Sequence, residues 1–146
     1  MPAKKRVLFL CTGNSARSQM AEGLLRQMAG DRFEVSSAGT HPKGMHPRSV
    51  EVMNEIGIDI SAHRSRSVDE FLGQDFDYVI TVCDKARQNC PVFHAKAERI
   101  HQSFADPAAL EGNDHDRLSL FRQVRDEIRE WMAGFISRCD SSSARI

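Results

Sequence analysis

Three compact runs of β-branched and aromatic residues, Arg6 to Cys11, Phe33 to Ala38 and Phe76 to Val82, are separated by stretches of helical periodicity. This alternation constrains the fold more than any other feature. Buried strands read as short continuous apolar runs, and amphipathic helices as apolar residues three and four apart. Met20, Leu24, Leu25 and Met28 keep helical spacing from Ala16 until Gly30-Asp31, and Val50, Met53 and Ile56 keep it between His46 and Gly57. Glu98 to Gln102 reads as a fourth, short strand. Phe121, Val124, Ile128, Trp131, Met132 and Phe135 form the apolar stripe of a long helix from about Asp114 to Ser137, with Ser141 to Ser143 as a frayed tail. Strands alternating with helices, joined by right-handed crossovers, predict a small doubly wound, flavodoxin-like α/β fold. Its sheet is parallel and four-stranded, with helices on both faces. At 146 residues the chain is expected to be a single domain, 1–146.

Charge and cysteine usage exclude several classes. Twenty basic and twenty acidic side chains cancel, which argues against nucleic-acid binding and its basic footprint. The longest early apolar run, Val7 to Cys11, is too short for a signal-peptide core or a membrane span, so no membrane association and a cytoplasmic location are expected. The four cysteines, Cys11, Cys83, Cys90 and Cys139, are then expected as thiols. None forms a C-x-x-C pair, the histidines form no H-E-x-x-H pattern, and Cys90 with His94 supplies only two ligands, so no metal is expected. No dinucleotide fingerprint is present.

In doubly wound sheets ligands bind at the carboxyl ends of the strands, where Cys11 and Cys83 both fall. Cys11-Thr12-Gly13-Asn14-Ser15-Ala16-Arg17-Ser18 fits C-x5-R-S between a strand and a helix. A loop of small residues turns successive backbone N–H groups inward as an anion nest, and the following helix adds its N-terminal amides. Arg17 closes the ring with a planar fork suited to a tetrahedral oxyanion. Gly13 and Asn14 are residue types that tolerate the left-handed backbone of such a nest. Thr12, Gly13, Asn14, Ser15, Ala16 and Arg17 are therefore the candidate oxyanion-binding residues. Cys11 is the candidate nucleophile as its thiolate, with Ser18 as a hydrogen-bond partner. A plain strand-to-helix turn around a buried cysteine is the alternative. Asp106, in the loop before Pro107, reads equally as a turn-initiating aspartate and as a carboxylic acid leaning over the anion site.

The stretch from Val7 to Glu22 resembles the opening of the low-molecular-weight protein tyrosine phosphatase superfamily, nearest to its arsenate reductase branch. The likeness continues through Ser37-Ala38-Gly39, Ile60-Ser61-Ala62-His63, Tyr78 to Cys83 and Asp106-Pro107. The resemblance implies a phosphotyrosine phosphatase I-like fold and makes Asp106 the general acid. Cys83-Asp-Lys-Ala-Arg-Gln-Asn-Cys90-Pro91 is similar to the segment carrying the second and third thiols of these reductases. By that likeness Cys11 attacks arsenate, Cys83 displaces arsenite, and Cys90 takes over the disulfide, with no flavin or nicotinamide. Thioredoxin, or glutaredoxin with glutathione, would then reduce the Cys83–Cys90 bond. If the segment between these two cysteines is helical, they lie roughly 10.5 Å apart along the axis. A disulfide needs Cα atoms within about 7 Å, so the helix has to unwind.

Cys139 is expected to be a bystander, Asp84 a weak surface alternative to Asp106, and the chain a monomer. Some such reductases hold potassium through an Asn, a Ser and a downstream carboxylate. Asn14 and Ser37 match, while Arg66 stands where the carboxylate is expected and would supply the positive charge itself. Phosphotyrosine-directed relatives carry aromatic residues beside the acid loop, where this chain has Ala108-Ala109. The competing readings are a phosphatase acting on phosphate monoesters through a Cys11 phosphocysteine, and a non-enzymatic redox sensor.

Overall fold

The computed structural model describes residues 4–88, 90, 97–109 and 112–143, with the side chains of 140–143 left aside. Strands β1 (Lys5–Cys11), β2 (Phe33–Gly39), β3 (Tyr78–Thr81) and β4 (Glu98–His101) pair in the order β2-β1-β3-β4, every pair parallel. Helices α1 (Arg17–Ala29), α2 (Pro47–Glu55), α3 (Asp84–Gln88) and α4 (Asp114–Ser143) lie between and after them, with 3-10 turns at Val68–Phe71 and Pro107–Ala109. This is the four-stranded, doubly wound parallel α/β sheet that the alternating pattern predicts.

Val7, Leu8, Phe9 and Leu10 point alternately to the two faces of the central strand, yet each is 0% exposed, so the sheet is covered on both sides. Phe135 of α4 packs on Phe33 of β2 (5.8 Å between centroids) and edge-on to Tyr78 of β3 (5.2 Å), which places α4 across one face. The connections β1→β2 and β3→β4 run in opposite directions across the sheet, so right-handed crossover puts α1 and α3 on opposite faces.

Two element boundaries differ from the sequence reading. Strand β3 is shorter than Phe76 to Val82, because Phe76 lies beneath the Arg6 guanidinium (4.7 Å) and against Phe71 instead of joining the ladder. Helix α4 does not fray at Ser137 but continues through Ser143. No glycine or proline interrupts residues 135–143, Ile136 is buried, and the Cys139 thiol donates to the Tyr78 hydroxyl (3.6 Å). Trp131, expected in the stripe, is only half-buried and stacks on Phe135 (5.5 Å). Among the described residues no helix is long and apolar enough to cross a membrane.

Candidate active site

The loop between β1 and α1 is shaped from outside by its carbonyls. Backbone N–H groups of Thr40, His41, Lys43 and His46 donate to the carbonyls of Cys11 (3.1 Å), Thr12 (2.8 Å), Gly13 (2.9 Å) and Ser15 (3.0 Å). The Asn14 carbonyl is held by the Ser65 hydroxyl (2.6 Å) and Gln19 Nε2 (3.2 Å). In a trans peptide the C=O and the next N–H point in opposite directions. With five consecutive carbonyls tied outward, the amides of residues 12–16 are turned into the concavity. That is the arrangement an anion nest requires, and four of its five ties come from a strap of residues 40–46 that no side-chain motif announces.

Asn14 takes the left-handed backbone (φ 47), as expected of its type. Gly13 does not: it is absent from the positive-φ residues, and its small size instead admits the Lys43 side chain, whose Cδ lies 3.3 Å from where a Cβ would stand. Gly39 at the end of β2 was not singled out by sequence. A Cβ there would meet the Thr12 carbonyl oxygen at 2.5 Å and the Asn14 nitrogen at 2.9 Å, so only glycine lets β2 end against the loop.

Cys11 is 2% exposed. Its sulfur accepts the Asn14 N–H (3.1 Å) and lies 2.8 Å from the Ser18 Oγ. Ser18 itself accepts from Asn14 Nδ2 (2.7 Å), which leaves the hydroxyl proton for a Cys11 thiolate. Arg17 donates to the Phe104 carbonyl (3.1 Å) and faces Asp106 Oδ2 at 3.8 Å. Asp106 is half-exposed, and its Oδ1 accepts the Ala108 N–H (3.0 Å). Cys11, Arg17 and Asp106 line one cavity of about 240 Å³, which residues 43–47 also line. Sulfur, guanidinium and carboxyl thus meet where sequence reasoning put them. Asp84 does not join them; it is exposed and pairs with His101 (2.8 Å).

Cys83 follows β3, adjacent to β1, and is 4% exposed. Its sulfur accepts the Ala86 N–H (3.4 Å) at the start of α3 and lies 3.5 Å from the Thr12 hydroxyl, which ties it to the loop. Cys90 does not line the Cys11 cavity. It is half-buried in a second one of about 360 Å³ with Arg99 and His101, and burial pushes its thiol upward against the pull of Arg99. Asn89, Pro91 and His94, which the sequence reading tied to Cys90, lie outside the described residues. Cys139 is remote and touches the Tyr78 hydroxyl, which burial above all pushes up to about 12.

The potassium position implied by the resemblance does not fit. Asn14 Oδ1 already accepts from the Arg66 N–H (2.9 Å) and Gln19 Nε2 (3.0 Å), and Ser37 donates to Glu22 Oε1 (2.8 Å). The guanidinium of Arg26 meets Glu22 Oε2 at 2.9 Å and also donates to His63 Nε2 (3.0 Å) and the Val35 carbonyl (2.9 Å). The oxygens an ion needs are taken by N–H donors. Arg66 enters through its backbone amide, and the positive charge expected of it comes from Arg26.

A family profile described as low molecular weight phosphotyrosine protein phosphatase matches residues 6–144. An arsenate reductase from Halalkalibacterium halodurans is 49% identical over 125 residues, which is 86% of this chain and 90% of that one. A solved structure of an arsenate reductase in its phosphate-binding state superposes with a TM-score of 0.70 at 33% identity, covering 92% of this chain and 98% of the other. A thioredoxin-dependent arsenate reductase from Corynebacterium glutamicum gives a TM-score of 0.74 at 26% identity, over 97% of this chain and 64% of that one.

Proposed function

The chain belongs to the low molecular weight phosphotyrosine protein phosphatase family, and on that footing we propose that it is an arsenate reductase working by a three-thiol relay. Arsenate enters the nest, held by the inward amides and Arg17. The Cys11 thiolate attacks arsenic while Asp106 protonates the departing oxygen, which leaves as water. Cys83 then attacks the Cys11 sulfur. The Cys11–arsenic electron pair passes to arsenic, arsenic(V) becomes arsenic(III), arsenite leaves, and a Cys11–Cys83 disulfide remains. Cys90 attacks Cys83, releases Cys11 as thiolate, and leaves a Cys83–Cys90 disulfide for an external dithiol to reduce.

The observation that carries this reading is the buried second thiol, Cys83, beside the loop of the first and linked to it through Thr12. A phosphatase has no use for it there. The last exchange brings together residues seven apart on either side of α3, so α3 has to unwind. Its five residues are too few for a helix stable by itself, and of them only Ala86 is buried. A thioredoxin-type dithiol is the proposed reductant, supported by the Corynebacterium glutamicum relative, and the chain is proposed to act as a cytoplasmic monomer.

The test is arsenate turnover with a thioredoxin system, against glutaredoxin plus glutathione. Cys11→Ser, Cys83→Ser and Cys90→Ser should each abolish turnover, and mass spectrometry after one round without reductant should find a Cys83–Cys90 bridge. Hydrolysis of a phosphate monoester that survives in Cys83→Ser and Cys90→Ser, with no arsenite formed by the wild type, would make the protein a phosphatase instead.

A further inference from the structure

The cavity lined by Cys11 also holds a group that the relay does not use. His46 is the N-cap of α2: its Nδ1 accepts the Arg48 N–H (3.2 Å), its own N–H donates to the Ser15 carbonyl (3.0 Å), and its ring packs on Phe121 (4.7 Å). A ring nitrogen that accepts a backbone N–H carries no proton, so the neutral imidazole is fixed with its proton on Nε2. Nε2 has no hydrogen-bond partner among the described residues, and His46 lines the same cavity as Cys11, Arg17 and Asp106.

We infer that His46 is a direct ligand of the bound oxyanion, its Nε2–H completing from the strap side the ring of donors that the loop amides and Arg17 begin. One backbone segment then shapes the nest through its amides and closes it with a side chain. Burial, with Arg48 of α2 and Arg117 of α4, outweighs the pull of Asp106 and keeps the imidazole below its ordinary range. Lys43 lines the same cavity. At neutral pH the group therefore acts as a neutral donor, which adds no repulsion to the nearby Arg17 when no anion is bound. The inference rests on the proposed reaction only for the identity of the anion.

Sulfate is the probe, because it is a tetrahedral dianion that the thiols cannot reduce. Its binding to the full reduced chain would be measured by calorimetry, together with side-chain ¹⁵N spectra of the histidines. Two variants separate ligation from structure. His46→Asn keeps an N-cap oxygen but is too short to reach the anion, while His46→Gln sacrifices the cap and keeps an amide donor of nearly the same reach. Loss of a hydrogen bond to a charged acceptor should weaken sulfate by about tenfold in His46→Asn and by less than about threefold in His46→Gln. The His46 Nε2 resonance should move on titration of the wild type. An unmoved resonance, or a sulfate affinity in His46→Asn equal to or better than that of His46→Gln, overturns the inference. A chain that binds sulfate in this way but reduces no arsenate refutes the proposed function and leaves the inference standing.

Discussion

Replacing Gly39 with alanine tests whether the nest depends on contact from the neighbouring strand. The added Cβ would lie 2.5 Å from the Thr12 carbonyl oxygen, 2.9 Å from the Asn14 nitrogen and 3.0 Å from the Asn14 Cβ. Favourable carbon contacts sit near 3.5–4.0 Å, so the first is short by roughly 1 Å, and all three partners belong to the loop itself. No flexible side chain is available to give way. Either β2 or the loop must shift, and such overpacking costs about 1–3 kcal/mol. For a domain of this size that lowers Tm by roughly 4–10 °C. A displacement of about 1 Å at the reacting centre also costs on the order of 10²-fold in rate. The assay is a thermal melt with and without sulfate, paired with arsenate turnover. Gly134→Ala in α4 is the control, since its Cβ would meet only Arg138 Nη1, at 3.8 Å, and should leave Tm equal or raised. A Gly39→Ala protein with wild-type turnover and an unchanged sulfate-induced rise in Tm would refute the dependence.

Asn14→Ala should destabilise the fold by about 3–4 kcal/mol in urea titration. It removes buried hydrogen bonds to Ser18, Ser37 and Gln19, leaves the Arg66 amide without its acceptor, and puts alanine at a left-handed φ. His63 is held below its ordinary 6.5 by burial first and by Arg26 and Arg66, against Glu22 and Asp59. A depressed folded value means that the unfolded chain binds the proton first. Stability from this site is therefore complete above pH 6.5 and lost as pH falls through the folded value, and His63→Gln should flatten that slope between pH 7.5 and 5.5. Because Arg26 already satisfies Glu22, turnover should be equal in potassium and sodium salts at matched ionic strength. Strong activation by potassium would contradict that. Cys90, raised by burial, should react with iodoacetamide more slowly than a free thiol at pH 7.5 and approach it as pH rises.

The sheet was legible because its strands are buried on both faces and therefore read as unbroken apolar runs. Their right-handed connections left few alternatives. Cys11 and Arg17 were legible because the chemistry resides in their side chains and the loop is local in sequence, whereas Asp106 read equally as a turn residue until the family resemblance marked it as the acid. Gly39, Gln19, Ser65 and Arg26 were not, since each matters only through a partner that folding brings close. Gln19 reaches both Asn14 and the Arg64 carbonyl, a link that no local pattern contains. Arg66 misled for the same reason: its position in the chain was right, but the guanidinium that answers Glu22 comes from α1. The last turns of α4 meet Tyr78, more than fifty residues away, whose hydroxyl accepts from Cys139, a contact no local pattern contains.

Residues 40–46 raise a different question, about what evolution is able to alter there. Thr40, His41 and Lys43 serve the loop with atoms common to nineteen of the twenty amino acids. The Thr40 and His41 side chains can drift without harm to the nest. Proline alone is forbidden, since it has no amide hydrogen to lend. The segment contains one proline, Pro42, and another, Pro47, stands just past its end, and both occupy places from which no loop carbonyl draws a bond. That exclusion is the imprint these three amides leave in the primary structure.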